Sequence, residues 1–338
     1  MDVLNTRRIV ILGKTGAGKS SLANTIFGED EFKIYHTLSS GTTKCQANTR
    51  SVNGRRITLI DTPGFFDTHR SEEELKPEMV RCITECAPGP HAFLIVLKVE
   101  RFTEHEQEVI KKIQENFSED ALKYAVIVFT HGDQLPEGET IENFVSQNKN
   151  LRDLVEKCGG RCHVVDNRYW KHNEEDDYRS NRFQVEELLN TLDKMTEANQ
   201  GRCYTNEMLQ AVKRAVEREE EHVRQSAGNL SQEEVVNEAK KSFIDNFLIR
   251  SAGVATGALL GALLGLAELA TSNVRSVQDL TEFFRRATVA YAALESGVKG
   301  GQTGYAAAER AETTLEAVQK AASAVWSQSG FAADRITQ

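Results

Sequence analysis

Gly13-Lys14-Thr15-Gly16-Ala17-Gly18-Lys19-Ser20 follows the apolar run Ile9-Val10-Ile11-Leu12 and opens into Ser21-Leu22-Ala23-Asn24-Thr25-Ile26-Phe27. Buried strand, tight loop and helix N-terminus form the setting in which G-x-x-x-x-G-K-S cradles a polyphosphate. Glycines let successive backbone N–H groups curl around phosphate oxygens, and the helix N-terminus adds partial positive charge. The spacing assigns Lys19 to the β- and γ-phosphates and the Ser20 hydroxyl to Mg²⁺, with Gly13 to Ser21 as the binding loop. A nucleotide-binding α/β domain is therefore expected.

Downstream, Glu29 to Leu38 is polar and reads as a mobile loop. The alternating run Cys45 to Val52 then meets Arg56 to Asp61 across Asn53-Gly54, the strongest short hairpin signal, so these two strands should be antiparallel neighbours. The second delivers Asp61-Thr62-Pro63-Gly64 to the end of a strand. Some forty residues after a phosphate loop, a carboxylate there is the expected second Mg²⁺ anchor, and the Gly64 N–H can meet a γ-phosphate. A hydroxyl from the preceding loop, Thr42 or Thr43, should close on the metal, and the spacing Ser40-x-Thr42-x-x-Cys45 favours Thr42.

Residues 71–87 read as a helix with an acidic start, ending at Pro88-Gly89-Pro90. His91 to Leu97 and Tyr124 to Phe129 are apolar runs of buried-strand length, and Thr103-Glu104-His105-Glu106 opens a helix between them. After the second run, Thr130-His131-Gly132-Asp133 places an acid where it can accept both N1–H and the exocyclic amine of guanine. Adenine lacks that donor pair and would leave the carboxylate unpaired, so guanine is favoured. Gly160 to Asn167 reads as a sixth strand whose exit loop could close over the base. Strands alternating with helices predict a doubly wound, mostly parallel six-stranded sheet, with the ligand at the strands' C-terminal edge.

These stretches resemble the GTPases of immunity-associated proteins, the septin-like GIMAP family. The resemblance covers about residues 6–200. It is carried by Gly13 to Ser20, Asp61 to Gly64 and Thr130 to Asp133, by Gly89-Pro90-His91-Ala92-Phe93, by Arg101-Phe102-Thr103, and by Cys158-Gly159-Gly160-Arg161-Cys162-His163. It implies GTP and GDP with Mg²⁺ as ligands, His131 stacked on the base, Asn167 in the base clasp, and pairing of guanine domains across their nucleotide faces. Val165-Asp166-Asn167 departs from the family's usual Phe-Asn-Asn, and Glu100 stands where Gly usually precedes Arg-Phe-Thr. Phe65 follows Gly64 where Ras-like enzymes carry a water-orienting Gln, so intrinsic hydrolysis should be slow. The resemblance points to Arg101 acting in trans as an arginine finger; an ordinary salt-bridged surface arginine is the plainer alternative.

The 338-residue chain exceeds one typical domain, so a guanine-nucleotide domain at 1–200 and a helical extension at 201–338 are expected. A net charge of −9 disfavours a general nucleic-acid binder. The N-terminus shows no apolar signal region, and the six scattered cysteines suit reduced thiols better than zinc, which together indicate a cytoplasmic protein. In the extension, residues 251–267 carry no charge and place Gly253, Gly257, Gly261 and Gly265 on one helix face. As a helix this stretch would run about 25 Å, short of a ~30 Å hydrocarbon core. Two readings stay open: a membrane segment anchoring the chain to an intracellular membrane, or tight helix packing within a bundle or oligomer.

Overall fold

The computed structural model describes residues 6–34, 44–65, 71–100, 104–170, 178–226, 230–250 and 256–264. Six strands form one sheet: β1 (Arg7–Leu12), β2 (Gln46–Val52), β3 (Arg55–Asp61), β4 (Ala92–Lys98), β5 (Ala125–Thr130) and β6 (Cys162–Val164). Their spatial order is β2-β3-β1-β4-β5-β6, with only β2 antiparallel to its neighbour. Asn53 and Gly54 take φ of 47° and 77°, the paired positive values of a type I′ turn, and Val52 pairs with Arg55 directly across it. The doubly wound, mostly parallel six-stranded sheet is the architecture expected.

Apolar residues fill both faces because parallel strands are covered on both sides. On one face Ile9, Ile11, Leu59, Leu94, Val96, Val126 and Val128 cluster with Leu22 and Ile26 of α1 (Lys19–Phe27) and Leu188, Leu189 and Leu192 of α7 (Asn181–Ala198). On the other face Phe93 packs edge-on against Phe117 and Tyr204, and Phe129 against Phe144. Between successive strands run α2 (Glu72–Cys86), α3 (Glu104–Asn116), α4 (Glu119–Leu122), α5 (Ile141–Ser146) and α6 (Lys149–Lys157). Ser71 caps α2, its hydroxyl accepting the Glu74 N–H. His91 ties the sheet's lower end: its Nδ1 accepts the Arg8 N–H at 3.0 Å, and burial holds its pKa down to about 4.

Two compact units divide the chain, Met1–Gln210 with Thr256–Val274, and Ala211–Ala255 with Arg275–Gln338. In the second, α8 (Glu207–Ser226) and α9 (Gln232–Arg250) are joined by Ser242 Oγ donating to Glu219 Oε2 at 2.8 Å and by Arg224 donating to Gln232. The sequence places Met208, Val212, Val216 and Val223 at helical spacing in the first of these helices and Val236, Ala239, Phe243 and Phe247 in the second. Val212, Val216, Ala239, Phe243 and Phe247 are buried, whereas Met208, Val223 and Val236 are only half-buried. Residues 278–326, whose sequence also reads as helix with Leu315, Val318, Ala322 and Val325 on one face, lie outside the described residues.

The described part of the glycine-rich stretch belongs to the sheet unit. This part, α10 (Thr256–Leu264), packs on α2 and α3, burying Leu259, Leu260, Leu263 and Leu264, and the Leu264 carbonyl accepts the Ser118 N–H at 3.0 Å. Among the described residues no helix is long and apolar enough to cross a membrane. Leu263→Ala should therefore cost about 2–3 kcal/mol, the lower part of the range for a buried leucine, because so short a helix can relax. Chemical unfolding of the full chain measures it; an unshifted midpoint would mean that α10 contributes nothing to this unit.

Candidate functional site

The parallel strands deliver the sequence-expected residues to one edge. Gly13 to Gly18 bridge β1 and α1, Asp61 ends β3, Thr130 ends β5, and Asn167 follows β6. Gly13 takes φ of 154°, and a Cβ on it would lie 2.6 Å from the Val96 carbonyl, so only glycine lets the loop cross β4 this closely. Gly18 caps α1 in the left-handed region, and the Ala17 N–H bonds the Lys14 carbonyl to close the turn. Thr15 and Gly16 form the exposed tip, whereas Ala17, Lys19 and Ser20 are buried. Ser21, half-buried, lies in the first turn of α1.

Lys19 folds back over its own loop, its Nζ donating to the Gly13 and Lys14 carbonyls at 3.0 and 2.9 Å. An ammonium held this way stands over the loop with its charge fixed. Ser20 Oγ donates to Asp61 Oδ2 at 2.5 Å, both groups buried. Parallel pairing of Asp61 with Ile11 sets this approach, and Thr62 reinforces it by donating to the Ile11 carbonyl at 2.7 Å. Gly64 and Phe65 follow, both buried.

The ends of β5 and β6 are tied to the loop and helix that follow β1. Thr130 Oγ1 donates to the Ala17 carbonyl at 2.8 Å, so the end of β5 holds the phosphate loop from beneath. Thr25 donates to Asn167 Oδ1 at 2.9 Å, joining α1 to the exit of β6. His131 is exposed, with φ of 60° that is uncommon off glycine, and its Nδ1 lies 3.1 Å from Thr130 Oγ1. Asp133 sits half-buried in a 3₁₀ turn over Gly132–Gln134, accepting from Gln134 Nε2 at 2.6 Å. Thr42 and Arg101 lie outside the described residues.

Sequence reasoning missed several supports. Glu100 pairs with Lys14 of the phosphate loop at 3.1 Å, so the acid that departs from the resembled family meets the loop's first lysine. Trp170 lies flat against Gly132, where a Cβ would come within 2.5 Å of the indole. Asn181, at the start of α7, brackets Asp166 by accepting its N–H and donating to its carbonyl. Nothing local in the sequence marks Asn181, because its partner is fifteen positions away and meets it only through the fold.

Ser20 and Asp61 are hard oxygen donors side by side at the loop's mouth. No group of three or more His, Cys, Asp or Glu able to hold a metal occurs among the described residues. That donor set fits Mg²⁺, which keeps several waters and takes one or two protein oxygens plus phosphate.

A family model described as the AIG1 family matches residues 7–223, well over half the chain. The chain belongs to the AIG1 family. AIG1 relatives include the immune-associated nucleotide-binding protein 7 of Arabidopsis thaliana, 32% identical over 237 residues that cover 69% of this chain and 74% of that protein. GTPase IMAP family member 8 of Mus musculus is 31% identical over 47% of this chain and only 24% of its own length. Among solved structures, Toc33 from Arabidopsis thaliana in complex with GDP and Mg²⁺ aligns with a TM-score of 0.43 at 20% identity, over 56% of this chain and 84% of that one.

Proposed function

We propose that this AIG1 chain is a guanine-nucleotide switch that binds GTP and GDP with Mg²⁺, pairs with a second copy across the nucleotide face, and hydrolyses GTP slowly unless paired. The observation that carries this is the Ser20–Asp61 contact beside Lys19, joined through Thr130 to the base-reading turn: one rigid edge presents a cation, two metal-type oxygens and a base acceptor. Lys19 neutralises the β- and γ-phosphates, and Gly13 to Ser21 supply backbone N–H donors. Ser20, Thr42 and, through water, Asp61 would hold Mg²⁺, which screens phosphate charge in transfer. Asp133 reads guanine, His131 flanks the base, Asn167 braces the clasp, and the Gly64 N–H meets the γ-phosphate.

Hydrolysis is where two readings part. Phe65 is buried and offers no group to orient water. A catalytic charge must then come from elsewhere, and Arg101 of a second copy is the candidate. The same Phe65 favours a second reading, a GTP-gated scaffold with negligible turnover. Mass measurement with GDP and with a non-hydrolysable GTP analogue should show a monomer and a dimer respectively; a monomer in both removes the pairing. Phosphate release per molecule should rise with protein concentration, and Arg101→Ala should flatten that rise while leaving GTP affinity intact. A rise that survives Arg101→Ala leaves Arg101 an ordinary surface residue.

A further inference from the structure

The exit of β6 carries an acid, Asp166, where the resembled family usually has an amide, and its carboxylate is almost wholly buried. It is also heavily used. Its Oδ1 accepts the N–H of Arg168 at 2.9 Å and that of Tyr169, and its Oδ2 accepts the Asp133 N–H at 3.4 Å. Asn181 fixes its backbone on both sides, and the Gly132 N–H bonds the Val165 carbonyl at 3.0 Å. Two loops from different strands, the turn after β5 and the loop after β6, are thus gathered on one carboxylate.

Resting on the guanine reading of Asp133, we propose that Asp166 is the positioning residue of the base site: its carboxylate fixes the turn that aims Asp133 and adds a second negative charge at the edge that faces the guanine N–H donors. A neutral amide could keep the Arg168 and Tyr169 bonds through its single oxygen, but would turn an N–H₂ toward Asp133 where the second carboxylate oxygen stands and would not supply the charge. The charge acts on Asp133. Burial and the hydrogen-bonded Asp166 carboxyl push the Asp133 pKa upward, against the opposing effects of Gln134 and His131. Burial works against ionisation of Asp166 too, but the N–H of Tyr169, the Asp133 carboxyl and the N–H groups of Arg168 and Asp133 outweigh it and hold that group low. Asp166 thus carries the settled charge and Asp133 the more basic one, a stronger acceptor for N–H donors. The nearby cations are engaged: the Arg168 guanidinium lies over the Tyr169 ring, and Arg179 donates to the Leu135 and Pro136 carbonyls.

Asp133 must be ionised to accept from guanine, so affinity is present above its pKa and is lost as pH falls through it. Raising that pKa moves the loss to higher pH. The test is titration of the whole 338-residue chain with fluorescently labelled GDP from pH 7.5 down to 4.5, for wild type, Asp166→Asn and Asp166→Ala. Protonation of the phosphates is common to all three. As the pH falls, wild type should begin to lose affinity at a higher pH than Asp166→Asn, the direction set by the raised Asp133 pKa. Asp166→Ala, which strands three N–H groups, should bind about tenfold more weakly at pH 7.5. A merely structural role would lower affinity by one factor at every pH. Superimposable profiles for wild type and Asp166→Asn, or wild-type affinity in Asp166→Ala, overturn the proposal. Equal competition by ADP in wild type would overturn the guanine reading itself, a separate failure.

Discussion

Lys19→Ala should lose GTP and GDP binding by roughly 1,000-fold, about 4 kcal/mol, with the fold intact. The ammonium is the one side chain of the loop buried over its own backbone, held by the Gly13 and Lys14 carbonyls. Two charge-assisted contacts to phosphate, at about 1.5–3 kcal/mol each, account for the magnitude. Stability should fall only modestly, because one buried carbonyl, that of Gly13, loses its donor while the Lys14 carbonyl is part-exposed. Calorimetric titration with GDP measures the loss and a thermal melt checks the fold. Binding within threefold of wild type in a folded variant would remove the phosphate-loop assignment and everything built on it.

Asp133→Asn is the second large effect. The carboxylate accepts two donors from guanine, and an amide turned to accept one presents an N–H₂ to the other. Guanine nucleotides should lose roughly 100-fold or more, and xanthine nucleotides, whose carbonyl replaces the exocyclic amine, should gain. Competition of GDP, XDP and ADP against a labelled nucleotide gives all three affinities at once. If GDP and XDP keep their wild-type order in the variant, Asp133 does not read the base.

Much of this edge was legible because its chemistry is written in short, contiguous stretches. The phosphate loop, Asp61 to Gly64 and Thr130 to Asp133 each sit where a strand stops, and apolar runs mark strands well when both faces are buried. The sixth strand was read too long: only Cys162–Val164 pair with β5. Gly159 and Gly160 both take positive φ just before it, and Asp166 turns the chain just after by capturing the N–H groups of Arg168 and Tyr169. Helices α4, α5 and α6 were not foreseen. The first two span four and six residues, too few for a period to show, although Ser118, Thr140 and Asn148 cap the three helices in the usual way. What the sequence hides most is pairing at a distance: Glu100 with Lys14, Asn181 with Asp166, Trp170 with Gly132. Each is set by which strand ends where, and no local pattern carries that information.

The last of these pairs makes the molecule its own optical instrument. Trp170 is one of two tryptophans, and it is buried against the turn that holds Asp133, with the Arg179 guanidinium 5.9 Å from its ring centroid. Indole emission follows local polarity and nearby charge, so the colour and brightness of this ring register how the base-reading turn is packed. With Trp326 replaced by Phe, a single indole remains, seated at the seam between the two base-side loops and excited apart from the tyrosines at the red edge of its absorption. Arrival of the base can then be timed in unlabelled protein, separately from capture of the phosphates at the other end of the edge.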